Sequence, residues 1–135
     1  MKIRLLSWNV RGVNDSSKRK VIKAIIRNQK VDLFCIQETK VQSMNEGLVR
    51  SLGSGRFLDW GALDAQGAAG GVLICWDKRT LEIIEMERGQ FSISCRLRNV
   101  EDGKVWIFTG VYGPFSKKRQ GDTMGGAWGD KGNLG

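Results

Sequence analysis

Three positions in this 135-residue chain set a chemically able side chain at the end of an apolar run. Asn9 closes "MKIRLLSWN", Glu38 follows "VDLFCIQ", and Tyr112 ends "VWIFTGVY" just before Gly113 and Pro114. Parallel α/β sheets bind ligands just beyond the carboxyl ends of their strands. A carboxylate beside an amide oxygen and a phenol is the start of a hard-cation site. Mg²⁺ takes oxygen ligands, keeps several waters, and is held by one or two carboxylates plus substrate phosphate. Each residue also has an ordinary role: Asn9 as a turn former, Glu38 as a solvated strand end, Tyr112 as an aromatic packed at a bend. Their convergence is what would carry chemistry. Arg11 and Lys40 lie beside them, where a cation either touches phosphate or faces water.

The elements that must position these residues follow from periodicity. Met1 to Leu6 reads as an opening strand buried on both faces. "NDSSKRKVIKAIIRNQ" starts with capping residues at Asn14, Asp15, Ser16 and Ser17, and Val21, Ile22, Ile25 and Ile26 share one face at helical spacing. "VDLFCIQETK" is a second strand, so strand, helix and strand form a βαβ unit with parallel pairing and a right-handed crossover. A second helix is expected over residues 43–52 and a short strand in "RFLDWGAL". The Gly-rich "DAQGAAGG" leads into a strand from Gly71 to Trp76. "LEIIEMER", "FSISCRLRN" and "VWIFTGVYGP" then alternate as hairpin strands, with "VEDGK" as a turn. The expectation is an α/β fold whose sheet has parallel and antiparallel parts.

Composition narrows the classes. The net charge of +8 and pI near 9.8 favour an anionic partner, nucleic acid first, with basic clusters in residues 16–30 and 115–120. Cys35, Cys75 and Cys95 each lie in an apolar strand, no C-x-x-C occurs and there is no histidine, which argues against zinc and for buried thiols in a reducing compartment. No run approaches membrane-span length and no signal-peptide core opens the chain, so an intracellular protein, nuclear or cytoplasmic, is expected. Residues 119–135 are Gly-rich, with six glycines between 121 and 135, and read as a disordered tail.

Taken in order, "LLSWNVRG", "VDLFCIQETK", "GGVLICWD" and "VYGP" resemble the N-terminal motifs of the endonuclease/exonuclease/phosphatase family, which includes exonuclease III and the apurinic endonucleases. The wording is most similar to endonuclease domains of plant LINE-type (non-LTR) retrotransposons. The resemblance covers residues 1 to 118. It implies a DNase-I-like four-layer α/β sandwich, of which the N-terminal half is present. It also implies that Asn9 lies near the metal and scissile phosphate, that Glu38 ligates Mg²⁺ or Mn²⁺, and that Tyr112 lies at the phosphate. Trp76 and Asp77 fall in a motif read as packing. The implied partner is DNA, bound electrostatically without sequence preference.

The chain departs from the family where catalysis needs a base. Family members carry an Asp-x-Asn motif and a late Ser-Asp-His motif; here there is no histidine. Asp122 has no Asn two places on, and Asp130 and Asn133 are one residue too far apart. Asp122 also follows Pro114 too closely for a crossover helix. The expectation is a truncated domain, inactive on its own, with one sheet face uncovered and available for self-association. A non-catalytic basic nucleic-acid-binding module is the alternative. An active enzyme using another base is a third reading, disfavoured by the missing motifs.

Overall fold

The computed structural model describes residues 2–53, 55–66 and 69–111. Tyr112 and the Gly-rich segment 119–135, with Asp122, Asp130 and Asn133, lie outside the described residues, as does the expected boundary at 118.

Strand β2 (Leu33–Gln37) buries all five of its residues. Its apolar run has nowhere to meet water because the strand is central: β1 (Leu5–Asn9) pairs parallel on one side and β4 (Val72–Asp77) antiparallel on the other. With β3 (Leu58–Leu63) beyond β4, the four-stranded sheet has the order β1-β2-β4-β3. Alternate side chains of β2 and β4 serve different cores, as the period of two requires. Phe34, Ile36, Leu73 and Cys75 face the helices α1 (Ser16–Gln29) and α2 (Glu46–Leu52). Leu33, Cys35, Val72, Ile74 and Trp76 face a second sheet.

That second sheet is antiparallel, β5 (Leu81–Arg88), β6 (Ser92–Asn99) and β7 (Val105–Val111) in that order, and it sends Leu81, Ile93, Cys95, Leu97 and Phe108 into the shared core. The layers are therefore helices, mixed sheet, antiparallel sheet. All three cysteines are buried and free, as expected. Burial pushes the thiol pKa of Cys35 and Cys75 well up and that of Cys95 up to about 12.

Four expectations need correction. The opening strand is not buried on both faces. As an edge strand it alternates between exposed and half-buried, with Leu5 38% exposed. The apolar face of α1 is narrower than its spacing suggests: Ile22 and Ile26 are buried, whereas Val21 is 55% exposed because one residue is a rotation of ~100° on a helix. Helix α2 starts at Glu46, capped by the Asn45 side chain, rather than at Ser43.

The fourth correction concerns the uncovered face. Both faces of the mixed sheet are covered, because the hairpin strands form a separate sheet instead of extending the first. Among the described residues the exposed face belongs to the second sheet and is largely polar. Glu82 pairs with Arg98, Glu85 with Arg96, and Ser94 hydrogen-bonds Thr109, with Val105 and Ile107 at one side. Arg98 Nε sits 3.8 Å from Glu82 Oε1, beyond hydrogen-bond reach, so that pair is coulombic alone. A bulge between Ile83 and Glu85 restores the charged residues to the outer face.

Candidate functional site

The parallel register sets Asn9 opposite Gln37, so the chain segments leaving β1 and β2 emerge side by side. Backbone hydrogen bonds carry that pairing past the strand ends. Val10 N–H donates to the Gln37 carbonyl (3.1 Å), Gly12 N–H to Glu38 (2.7 Å) and Val13 N–H to Thr39 (3.1 Å). From the other side, Thr39 and Lys40 N–H groups donate to the carbonyls of Gly71 (3.2 Å) and Gly70 (2.8 Å), just before β4. Three loops thus meet at one end of the mixed sheet.

The backbone there is unusual. Among the described residues four non-glycine positions have positive φ, and three are here: Arg11 (54°), Glu38 (57°) and Lys40 (59°). The fourth, Lys30, is the C-cap of α1. A left-handed non-glycine residue costs on the order of 1 kcal/mol and persists where its surroundings over-determine it. Gly71, at φ 96°, admits no alternative, since a Cβ there would collide with Thr39 Oγ1 and press on the Lys40 N–H.

The structure brings Asn9, Arg11, Glu38 and Lys40 to this end together. Asn9 is exposed, and its Oδ1 accepts the Arg11 N–H at 3.2 Å in a local turn. Glu38 is half-buried; Arg11 and Lys40 are exposed. The Lys40 stem lies against Gly12, whose added Cβ would be 3.5 Å from Lys40 Cδ. Tyr112 falls outside the described residues. Trp76 is buried between the sheets, in keeping with a packing role, whereas Asp77 lies at the opposite end of β4, where it ion-pairs with Arg79 instead of packing.

Several positioning residues escaped the sequence. Lys18 Nζ donates to the Val10 carbonyl (2.8 Å) and reaches that of Arg11 (3.4 Å); Arg19 NH1 donates to Val13 (2.8 Å). These two side chains from the first turns of α1 hold the loop after Asn9. Gln37, buried, donates from Nε2 to the Val111 carbonyl at 3.0 Å and ties the second sheet to this end of the first. Thr39 Oγ1 accepts the Val41 N–H. The only sequence signal was proximity to Asn9 and Glu38, since a lysine on a basic helix carries no mark of where it bends.

A divalent cation would meet oxygen donors of the right kind, the Glu38 carboxylate and the Asn9 amide oxygen. Among the described residues, however, no group of three or more His, Cys, Asp or Glu converges to hold a metal. These donors fit Mg²⁺ in kind; water and a substrate phosphate would have to complete the shell.

The Endonuclease/Exonuclease/phosphatase family matches residues 6–129. No curated protein shows significant sequence similarity to the chain. Among solved structures, the AP endonuclease LMAP from Leishmania major superposes with a TM-score of 0.61 at 17% identity, covering 82% of this chain and 40% of that one. D. rerio TDP2, complexed with a single-strand DNA product, gives 0.62 at 13% identity, covering 98% and 56%. An AP endonuclease from Archaeoglobus fulgidus gives 0.55 at 20% identity, covering 91% and 48%. The chain therefore spans between 40% and 56% of these structures, and at such identities the likeness shows the fold.

Proposed function

Since the chain belongs to the endonuclease/exonuclease/phosphatase family and has its DNase-I-like α/β fold, we propose that the Asn9–Glu38 end of the mixed sheet receives a nucleic-acid phosphodiester. One observation carries the reading. The loops leaving two parallel strands are locked together in left-handed conformations around a carboxylate, an amide and two exposed cations. Arg11 and Lys40 attract the phosphate backbone, Asn9 orients the scissile group, and Glu38 takes the divalent cation, Mg²⁺ or Mn²⁺. When bound, such a cation polarises the phosphoryl oxygens as a Lewis acid. The structures that share the fold include two AP endonucleases and a TDP2 bound to single-strand DNA, which supports nucleic acid as the ligand class. The similarity of "WNVRG" and "QETK" to plant LINE-type endonucleases supports a retrotransposon origin.

This chain by itself binds and does not cleave. It has no histidine to activate water, a contribution typically worth 10²- to 10⁴-fold. Glu38 alone also holds a hard cation weakly. The same features favour the second reading, a basic binding module without catalysis. Nicking of supercoiled plasmid in Mg²⁺, with and without EDTA, tests this. The expected result is salt-sensitive DNA binding with nicking at background level. Chelator-sensitive nicking that Glu38→Ala abolishes would overturn the inactive reading and restore an enzyme.

A further inference from the structure

At the end of the mixed sheet opposite Asn9 and Glu38, the C-terminal turn of α1 and the β4–β5 turn border an open cleft of about 420 Å³. Arg27 and Lys30 line one wall and Arg79 the other, with Asp32, Asp77 and Thr80 between them. Both acids are already engaged. Asp32 accepts the Arg4 N–H (2.8 Å) and the Thr80 hydroxyl (2.9 Å). Asp77 accepts a two-pronged fork from Arg79, Nε to Oδ1 at 3.1 Å and NH2 to Oδ2 at 2.8 Å. Among the described residues no ion pair engages Arg27 or Lys30, and Lys78 stands exposed beside the cleft. Cations therefore outnumber the acids, and the acids' charge is partly spent.

The Arg79 guanidinium is held on two sides. The Asp77 fork fixes its plane, and the Phe57 ring lies beneath it, 4.9 Å from centroid to Cζ. A second guanidinium, Arg56, approaches the same ring at 5.7 Å. The Arg79 side chain nevertheless remains 64% exposed. A flat, pre-oriented, solvated guanidinium is a stacking surface for an unpaired base, and arginine planes serve that purpose in single-strand recognition. The open cleft has room for one splayed nucleotide, whose base can reach the Arg79 plane, whereas the bases of a duplex stay stacked inside the helix and present no free face to it. The α1 C-terminus would repel phosphate through its carbonyls. Arg4 NH1 neutralises one of them by donating to Gln29 at 2.8 Å.

We propose that this cleft is a second nucleic-acid site, specific for unpaired nucleotides. A base stacks on Arg79 above Phe57, and Arg27 and Lys30 take the flanking phosphates. Strands of five or six residues set this site roughly 15–20 Å from the Asn9 end. At about 3.4 Å per stacked nucleotide, a strand of about six nucleotides covers that distance, yet the cleft does not depend on the Asn9 site for its geometry.

The experiment is fluorescence anisotropy on the full chain, with labelled dT15, a 15-base-pair duplex and labelled heparin, over a salt series. Arg79→Ala should weaken dT15 binding by about tenfold and leave the duplex within about twofold. Arg79→Lys keeps the charge and loses the plane, so it should lose most of the same affinity without changing the salt slope. Arg27→Ala/Lys30→Ala should lower the single-strand slope by about 1.4, two phosphates at about 0.7 each. Circular dichroism melts establish that each variant folds. Unchanged dT15 affinity in folded Arg79→Ala or Arg79→Lys would overturn the proposal. So would an equal loss for duplex or heparin, which would reduce the cleft to a general polyanion surface. An Arg11→Ala/Lys40→Ala chain that still discriminates dT15 from duplex separates this site from the one at Asn9.

Discussion

A cysteine packed between two sheets reports on the fold more directly than any surface residue. Cys35 and Cys95 lie in the inter-sheet core and Cys75 faces the helices. Burial disfavours the thiolate in each, so reaction with an alkylating agent requires opening. At pH 8 iodoacetamide should label the native chain at least about 100-fold more slowly than the denatured one. Fast native labelling of all three would rule out this packing. The same shift has a sign in pH. The folded pKa of Cys95 is raised from 9.0 to about 12, so its stabilising contribution is complete below 9 and is lost as pH rises toward 12. A urea midpoint that falls above pH 9 in the parent and falls less in Cys95→Ala is the expected result.

At the scale of elements, the site depends on three loops that hydrogen-bond one another beyond the strand ends. Gly71 is the tightest point, because both its positive φ and its approach to Thr39 exclude a side chain. Gly71→Ala should destabilise the chain by about 1–3 kcal/mol through overpacking and strain. It should also displace the Glu38–Lys40 segment, which would appear as a larger loss of DNA affinity than in Gly103→Ala. Gly103 also has a positive φ, 74°, but open space around it. Equal effects of the two substitutions on binding would show that the loop junction does not organise the site.

The whole molecule carries +8, and among the described residues the open face of the second sheet carries two Glu–Arg pairs beside the exposed Val105 and Ile107. Such exposed pairs each contribute little, about 0–1 kcal/mol, but they keep the face wetted. Self-association through that face should therefore be weak and strengthen with salt as the net repulsion is screened. Sedimentation velocity at 50 and 500 mM NaCl measures this, with ANS fluorescence as a companion. A salt-independent dimer with strong ANS enhancement would show that the exposed Val105 and Ile107 dominate the face.

Local patterning in the sequence determined the elements that periodicity can reach: the βαβ unit around α1, the apolar strands β2 and β4, the alternating hairpin strands, and the three buried thiols. It also marked Asn9 and Glu38, because each interrupts an apolar run with a polar group. Period two tells which residues alternate but not which sheet a strand joins. Only tertiary structure therefore decided that β5–β7 form a separate sheet covering the first, and that their outer residues pair as charges. The left-handed turns at Arg11, Glu38 and Lys40 were equally unreadable, since those residue types do not favour positive φ and are held there by hydrogen bonds from distant loops. Lys18, Arg19 and Arg79 look like solvated cations in the sequence. Their partners, the carbonyls after Asn9 and the Asp77–Phe57 seat, become neighbours only when the chain folds.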